Sequence, residues 1–200
     1  VTEDIPNEYA VALGSSDITI YEMLGAYSTF ANYGNYIKPE MSWRIEDGNS
    51  RLIKEVKPVL KEVMNELYAY TMIDLMKGVA DFGTGAGELG RRGVPKGIEI
   101  AAKTGTTQNN SDGWFMGITP NLATGVWVGW EDRAAHFYGT GEGQGAKMAL
   151  PIWAIYMKKV WADKELGITP EDKFVKPSNW TGNCADLQGL GGYGDDGGLQ

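Results

Sequence analysis

Four consecutive residues, Lys103-Thr104-Gly105-Thr106, hold the densest set of chemically useful groups in the chain. They follow the apolar run Ile98-Glu99-Ile100-Ala101-Ala102, which places them on an expected strand. A strand of that sequence sets an ammonium, two hydroxyls and one side-chain-free backbone position along one edge. Such an edge suits a substrate that carries a carboxylate while its carbonyl is under nucleophilic attack. Nothing else in the chain offers a comparable set. His136 is the single histidine and lies among Ala134, Ala135 and Phe137, a setting typical of surface or packing. No cluster of Asp, Glu and His has metal-ligand spacing, and the single cysteine, Cys184, excludes an internal disulfide and a cysteine-cluster metal site. Neither a metal nor a cofactor is expected.

The elements that must position the four residues are readable from periodicity. Thr19 and Glu22 have capping-box spacing, and Ile20, Leu24, Tyr27 and Ala31 then recur at helical intervals up to Gly34, a left-handed stop. Ile37 to Ile45 and Arg51 to Val56 alternate in part and flank Asp47-Gly48-Asn49, which predicts a hairpin. A second helix is expected from Asn65 to about Ala80. A glycine-rich stretch, Gly83 to Gly97, follows it with Pro95 inside, and Gly85 to Gly90 within it reads as a flexible surface loop. Three strands are expected at Ile98–Thr106, Trp114–Ile118 and Ala123–Trp130, with Pro120-Asn121 turning between the last two. Trp114, Trp127 and Trp130 then read as sheet core. The glycine-rich stretch from Gly139 to Gly145 is a connector that would border the site. A third helix is expected from about Met148 to Trp161, with Ile152, Ile155, Tyr156 and Val160 as its buried side. Tight turns between sequential strands predict an antiparallel sheet packed with helices, an α+β fold. The division expected is one domain over 1–175 and a poorly ordered Gly- and Asp-rich tail over 176–200.

Composition bounds the partners. With 200 residues the chain is long enough to bury roughly 70 % of its unfolded surface. Its formal net charge of −8 argues against nucleic acid as a partner, because phosphate binding needs a basic face. The pairs Arg91-Arg92 and Lys158-Lys159 read as solvated surface. No stretch reaches the about 20 apolar residues of a membrane span, and no signal-peptide pattern opens the chain. The polar start Val1-Thr2-Glu3-Asp4, without Met, suggests a segment of a longer protein. Gly85-Ala86-Gly87-Glu88-Leu89-Gly90 matches the spacing of a dinucleotide fingerprint. That fingerprint needs a strand before it and a helix after it; a helix is expected before it, and Pro95 stands against one after it.

The span Ile100 to Thr119 reads Ile-Ala-Ala-Lys-Thr-Gly-Thr-Thr-Gln-Asn-Asn-Ser-Asp-Gly-Trp-Phe-Met-Gly-Ile-Thr. Here the chain resembles the transpeptidase domain of the bifunctional, class A penicillin-binding proteins, which make and cross-link bacterial peptidoglycan. The likeness takes in Ala12-Leu13-Gly14-Ser15, Glu22 to Tyr27 and Phe30 to Gly34. It continues through Met76 to Val79, Gly83 to Ala86, Thr124 to Gly129 and Ala149 to Trp153, so that it covers roughly residues 10 to 162.

The resemblance implies a fold of the penicillin-binding transpeptidase and serine β-lactamase type, present here in part, and a role for each matched residue. Lys103 would set a positive charge beside the nucleophile, and the Thr104 and Thr106 hydroxyls would hold the carboxylate of a D-Ala-D-Ala stem peptide or a β-lactam. Gly105 would let substrate lie close to the strand, the Thr106 N–H would donate to the oxyanion, and Gln108 would line the acceptor side. The family's nucleophile is the serine of Ser-x-x-Lys, and it has a further Ser-x-Asn motif; neither occurs in this sequence. None of the serines at 15, 16, 28, 42, 50, 111 and 178 has lysine three residues on. Ser111 is expected to come closest to the motif in space, but a nucleophile needs an adjacent base, and Asp112 reads as a surface turn acid. The expected partners are therefore stem peptides, β-lactams and the upstream half of the same domain, on the extracytoplasmic face of a bacterial cytoplasmic membrane with its anchor upstream. A glycosyltransferase domain would also lie upstream. A serine β-lactamase or penicillin sensor, and a catalytically silent scaffold module, remain as alternatives.

Overall fold

The structure is a computed structural model that describes Ile5 and residues 8–182. The start Val1 to Asp4, Cys184 and most of the expected tail lie outside the described residues. The first long element is α1 (Ile20–Ala31), started by the Thr19–Glu22 capping box and followed by Gly34 at a φ of 87°. Four short strands come next: β1 (Asn35–Ile37), β2 (Arg44–Glu46), β3 (Leu52–Glu55) and β4 (Leu60–Glu62). Helix α2 (Glu66–Asp81) is capped by the Asn65 side chain, which accepts from the Leu67 N–H. A short helix, α3 (Ala86–Arg91), leads into the antiparallel strands β5 (Ala101–Thr106), β6 (Asp112–Thr119) and β7 (Leu122–Gly129). A single turn, α4 (Thr140–Gly143), precedes the 18-residue helix α5 (Gly145–Ala162).

The sheet order is β5-β6-β7, so β6 is central and has neighbours on both edges. Its run Trp114-Phe115-Met116-Gly117-Ile118 is apolar without alternation because both faces of the sheet are covered. On one face, α5 and α3 pack Leu89, Leu150, Trp153, Ala154 and Met157 against Ala102 and Phe115. On the other, α1 and α2 bring Phe30, Ile73 and Met76 to Ala101 and Ile118. The successive residues Ala101 and Ala102 thus enter opposite cores, as strand alternation requires. The architecture is α+β, an antiparallel sheet with helices on both faces.

The structure corrects four expectations. The segment Ile37 to Ile45 is not one strand. Pro39 interrupts it, its carbonyl accepts from the Tyr21 hydroxyl, and its ring lies 3.1 Å from where a Cβ on Gly25 would stand. The hairpin around Asp47 does form, between β2 and β3, while β1 pairs with β4 instead. The stretch after Gly83 is not a free loop: it folds into α3, whose Glu88 and Leu89 are buried. Helix α5 begins earlier than expected and buries a different side. Ile152, Ile155 and Tyr156 stay about half exposed, while Ala149, Leu150, Trp153 and Met157 are fully enclosed; Val160 is common to both readings. Finally, Trp127 and Trp130 are exposed rather than core, and Trp153 is the tryptophan the sheet buries. It lies flat enough on Gly117 that a Cβ there would stand 2.5 Å from the indole.

Residues 164–182 return across the α2 side. Phe174 N–H donates to the Glu99 carboxylate, which also pairs with Lys77. Trp180 meets the Tyr70 ring edge-on and donates to the Thr71 hydroxyl, and Pro177 is buried.

Candidate functional site

Lys103, Thr104, Gly105 and Thr106 all lie on β5, which has a partner on one side only among the described residues. The register makes their directions definite. Thr107 N–H donates to the Asp112 carbonyl, and Gly105 and Lys103 face Trp114 and Met116 in the same alternating set. Their N–H groups therefore point to β6, and those of Thr104 and Thr106 point off the open edge. Among the described residues no strand pairs with the Thr106 N–H.

The side chains alternate as well. Thr104 and Thr106 share the face covered by α5, so their hydroxyls stand side by side. Thr104 Oγ1 is 3.0 Å from Thr84 Oγ1, and Thr106 Oγ1 accepts from the Gly145 N–H at 3.0 Å. Lys103 is exposed and donates from Nζ to the Thr104 carbonyl at 2.6 Å, on the open edge. A cation, two hydroxyls and an outward N–H are thereby gathered around one strand edge.

Gly105 has a packing role beyond the one expected. A Cβ there would stand 3.0 Å from Trp114 Cβ on the neighbouring strand. Gln108 is exposed in the turn beyond β5 and makes no contact with the four residues in the hydrogen bonds described. That turn is held by the Thr107 hydroxyl, which meets the Ser111 hydroxyl at 3.1 Å and accepts from the N–H groups of Ser111 and Asp112. Ser111 and Asp112 are both buried, and Asp112 opens β6; it is not a surface turn acid. The turn is closed from above by Phe137, whose N–H donates to the Asn110 carbonyl, and His136 beside it is exposed.

The family described as "Penicillin binding protein transpeptidase domain" matches residues 6–148. The chain belongs to that family. It is 33 % identical over 173 residues to penicillin-binding protein 1A of Aquifex aeolicus, covering 84 % of this chain and 22 % of that protein. Against penicillin-binding protein 1A of Neisseria gonorrhoeae it is 33 % identical over 162 residues, 78 % of this chain and 19 % of the relative. The chain spans about a fifth of the length of these curated relatives. Among solved structures, penicillin-binding protein 1A of Haemophilus influenzae superposes with a TM-score of 0.71 at 26 % identity, over 84 % of this chain and 29 % of that one. PonA1 of Mycobacterium tuberculosis gives 0.70 at 26 % identity, over 89 % and 46 %.

Within this transpeptidase domain, Thr84 and Glu88 near the β5 edge escaped the sequence reading, and Gly145 was read only as the end of a connector bordering the site. Thr84 reaches Thr104 from the entry to α3; Gly145 reaches Thr106 from the start of α5. Glu88 is buried to 6 % exposure and takes Lys147 at 2.8 Å, Arg92 at 2.9 Å and Arg91 at 3.4 Å. The hydrogen bond from Lys147 holds its carboxyl below the ordinary carboxylate range, with Arg92 adding to that effect and burial opposing it. Arg91 and Arg92 are exposed, as read from sequence, but their head groups are committed to this carboxylate. Of the connector Gly139–Gly145, Gly145 reaches β5, at the Thr106 hydroxyl.

Proposed function

We propose that this chain supplies the carboxylate clamp and one oxyanion donor of a peptidoglycan D,D-transpeptidase. The observation that carries the reading is the open edge of β5: paired Thr104 and Thr106 hydroxyls on one face, an outward Thr106 N–H, and the Lys103 ammonium at the Thr104 carbonyl.

In this reading the terminal carboxylate of a D-Ala-D-Ala stem peptide accepts hydrogen bonds from the two hydroxyls. A serine Oγ from the upstream half of the domain attacks the penultimate D-Ala carbonyl. The Thr106 N–H donates to the oxygen as negative charge develops on it, an interaction whose loss costs on the order of 100- to 1000-fold in rate. The peptide C–N bond breaks, D-Ala leaves with a proton on its amine, and an acyl-serine remains. An amine of a neighbouring strand then attacks the ester, and the serine oxygen regains a proton. A β-lactam enters the same way, but its leaving nitrogen stays tethered to the acyl group. Gln108 lines the acceptor side. The substrate places the domain outside the bacterial cytoplasmic membrane, anchored by a segment upstream; no helix among the described residues is long and apolar enough to cross a membrane.

Intact-mass measurement after incubation with a labelled penicillin tests this. The protein that carries this chain is expected to gain one adduct, on a serine that precedes residue 1, while the isolated 200-residue chain gains none. An adduct on the isolated chain would overturn the division of labour. No adduct on either would replace the enzyme with a silent scaffold.

A further inference from the structure

The two hydroxyls of the β5 edge are both held from behind, and both holders lead to the same element. Thr84, immediately before α3, lies 3.0 Å from Thr104 Oγ1. Glu88, in the middle of α3, binds Lys147 in the first turn of α5, and the first residue of that helix, Gly145, donates its N–H to Thr106 Oγ1. Gly145 is seated tightly. A Cβ there would stand 2.3 Å from the carbonyl oxygens of both Gly105 and Trp114.

We propose that Thr84 and Glu88 are positioning residues that orient the Thr104 and Thr106 hydroxyls toward the substrate carboxylate. This rests on reading the β5 edge as the carboxylate clamp. The physical reason is the direction of the hydroxyl proton. A hydroxyl oxygen that already accepts a hydrogen bond turns its own O–H to a further acceptor, and the donor behind it polarises that O–H. Gly145 N–H loads Thr106 in this way. With an anion at the edge, Thr84 O–H loads Thr104, so two short chains of donors end at the same carboxylate. Glu88 acts at one remove: its pair with Lys147 fixes where the first turn of α5 begins, and hence where the Gly145 N–H points. Removing either holder leaves both threonines in place but lets their hydroxyls turn away.

The test uses the full-length protein that carries this chain, acylated by benzylpenicillin and by its methyl ester, which lacks the anionic oxygens. Thr84→Val and Glu88→Gln are each expected to lower the acid-over-ester rate ratio about tenfold, the effect of one hydrogen bond to a charged group. The ester rate itself should change less than about twofold, and Thr84→Ser should restore the ratio. Equal losses for acid and ester, or no loss for either, would overturn the proposal. Amide exchange of the peptide containing Gly145 provides a readout that needs no acylation: Glu88→Gln should speed it about tenfold, and unchanged exchange sinks the Glu88 arm. If the unsubstituted protein is not acylated at all, the transpeptidase reading fails, while the exchange measurement still decides whether α3 holds α5.

Discussion

At the scale of single residues, Gly145 makes the sharpest stability prediction. Any side chain there meets two backbone carbonyls, neither of which can swing aside as a flexible side chain would. Gly145→Ala should therefore cost about 1–3 kcal/mol in urea unfolding. Gly141→Ala, where a Cβ would enter open space, should stay within about 0.5 kcal/mol. A cost at Gly141 equal to that at Gly145 would show that the close approach of α5 to β5 is not what limits the position. Lys103, Thr104, Gly105 and Thr106 were legible in the sequence because they are contiguous and their chemistry is compact. Thr84, Glu88 and Gly145 were not, since each reaches the edge only through packing between segments 20 to 59 positions apart. A hydroxyl or a glycine in such a segment has no signature of its own. Asp112 misled for a related reason: an acid beside a glycine resembles a turn, and its burial at the start of β6, paired with Gly129, is not a local property.

At the scale of elements, helix starts and turns were legible where a side chain or a proline writes them locally. The Thr19 box, the start of α2 at Asn65 and the Pro120-Asn121 turn are of this kind. Helix α5 shows the limit. Its sequence offers two stripes at helical spacing, and the one with the larger exposed aliphatics, Ile152 and Ile155, is not the one that packs on the sheet. The enclosed stripe alternates small and large residues, Ala149 and Ala154 with Leu150 and Trp153, which brings the helix axis close to β6 and lets the indole lie over Gly117. Hydrophobicity alone does not rank these stripes; shape does. Trp153→Ala is accordingly expected to cost about 3–5 kcal/mol in chemical unfolding, and Ile155→Ala less than about 1 kcal/mol. The reverse order would return the helix to the face read from sequence.

For the molecule as a whole, acid should loosen the contact between α3 and α5. The Glu88 carboxyl is held below its ordinary value in the folded protein, so at acid pH the unfolded chain binds the proton more readily. Its contribution is complete above the ordinary carboxylate value and is lost as pH falls through the lower folded one. The charged groups facing it are Lys147 from α5 and Arg91 and Arg92 from α3 and its end. Melting temperatures recorded from neutral pH down through the carboxylate range should fall less steeply in Glu88→Gln than in the unsubstituted protein. Parallel acid limbs would assign the loss to other carboxylates. Among the described residues the sheet has two outer edges, β5 and β7, and the β5 edge meets a constraint of a different sort. Exposed strand edges invite other chains to add on, and proteins usually blunt them with proline, a bulge or a charge. Proline at 106 would delete the outward N–H, and a bulge would re-aim the paired hydroxyls. Only charge is compatible with keeping this edge open, and Lys103 supplies it at the Thr104 carbonyl, where an incoming strand would otherwise dock. In the proposed clamp the same ammonium would serve a small anionic guest and guard the edge against fibre growth, so a neutral residue at 103 would trade lost chemistry for a sticky protein.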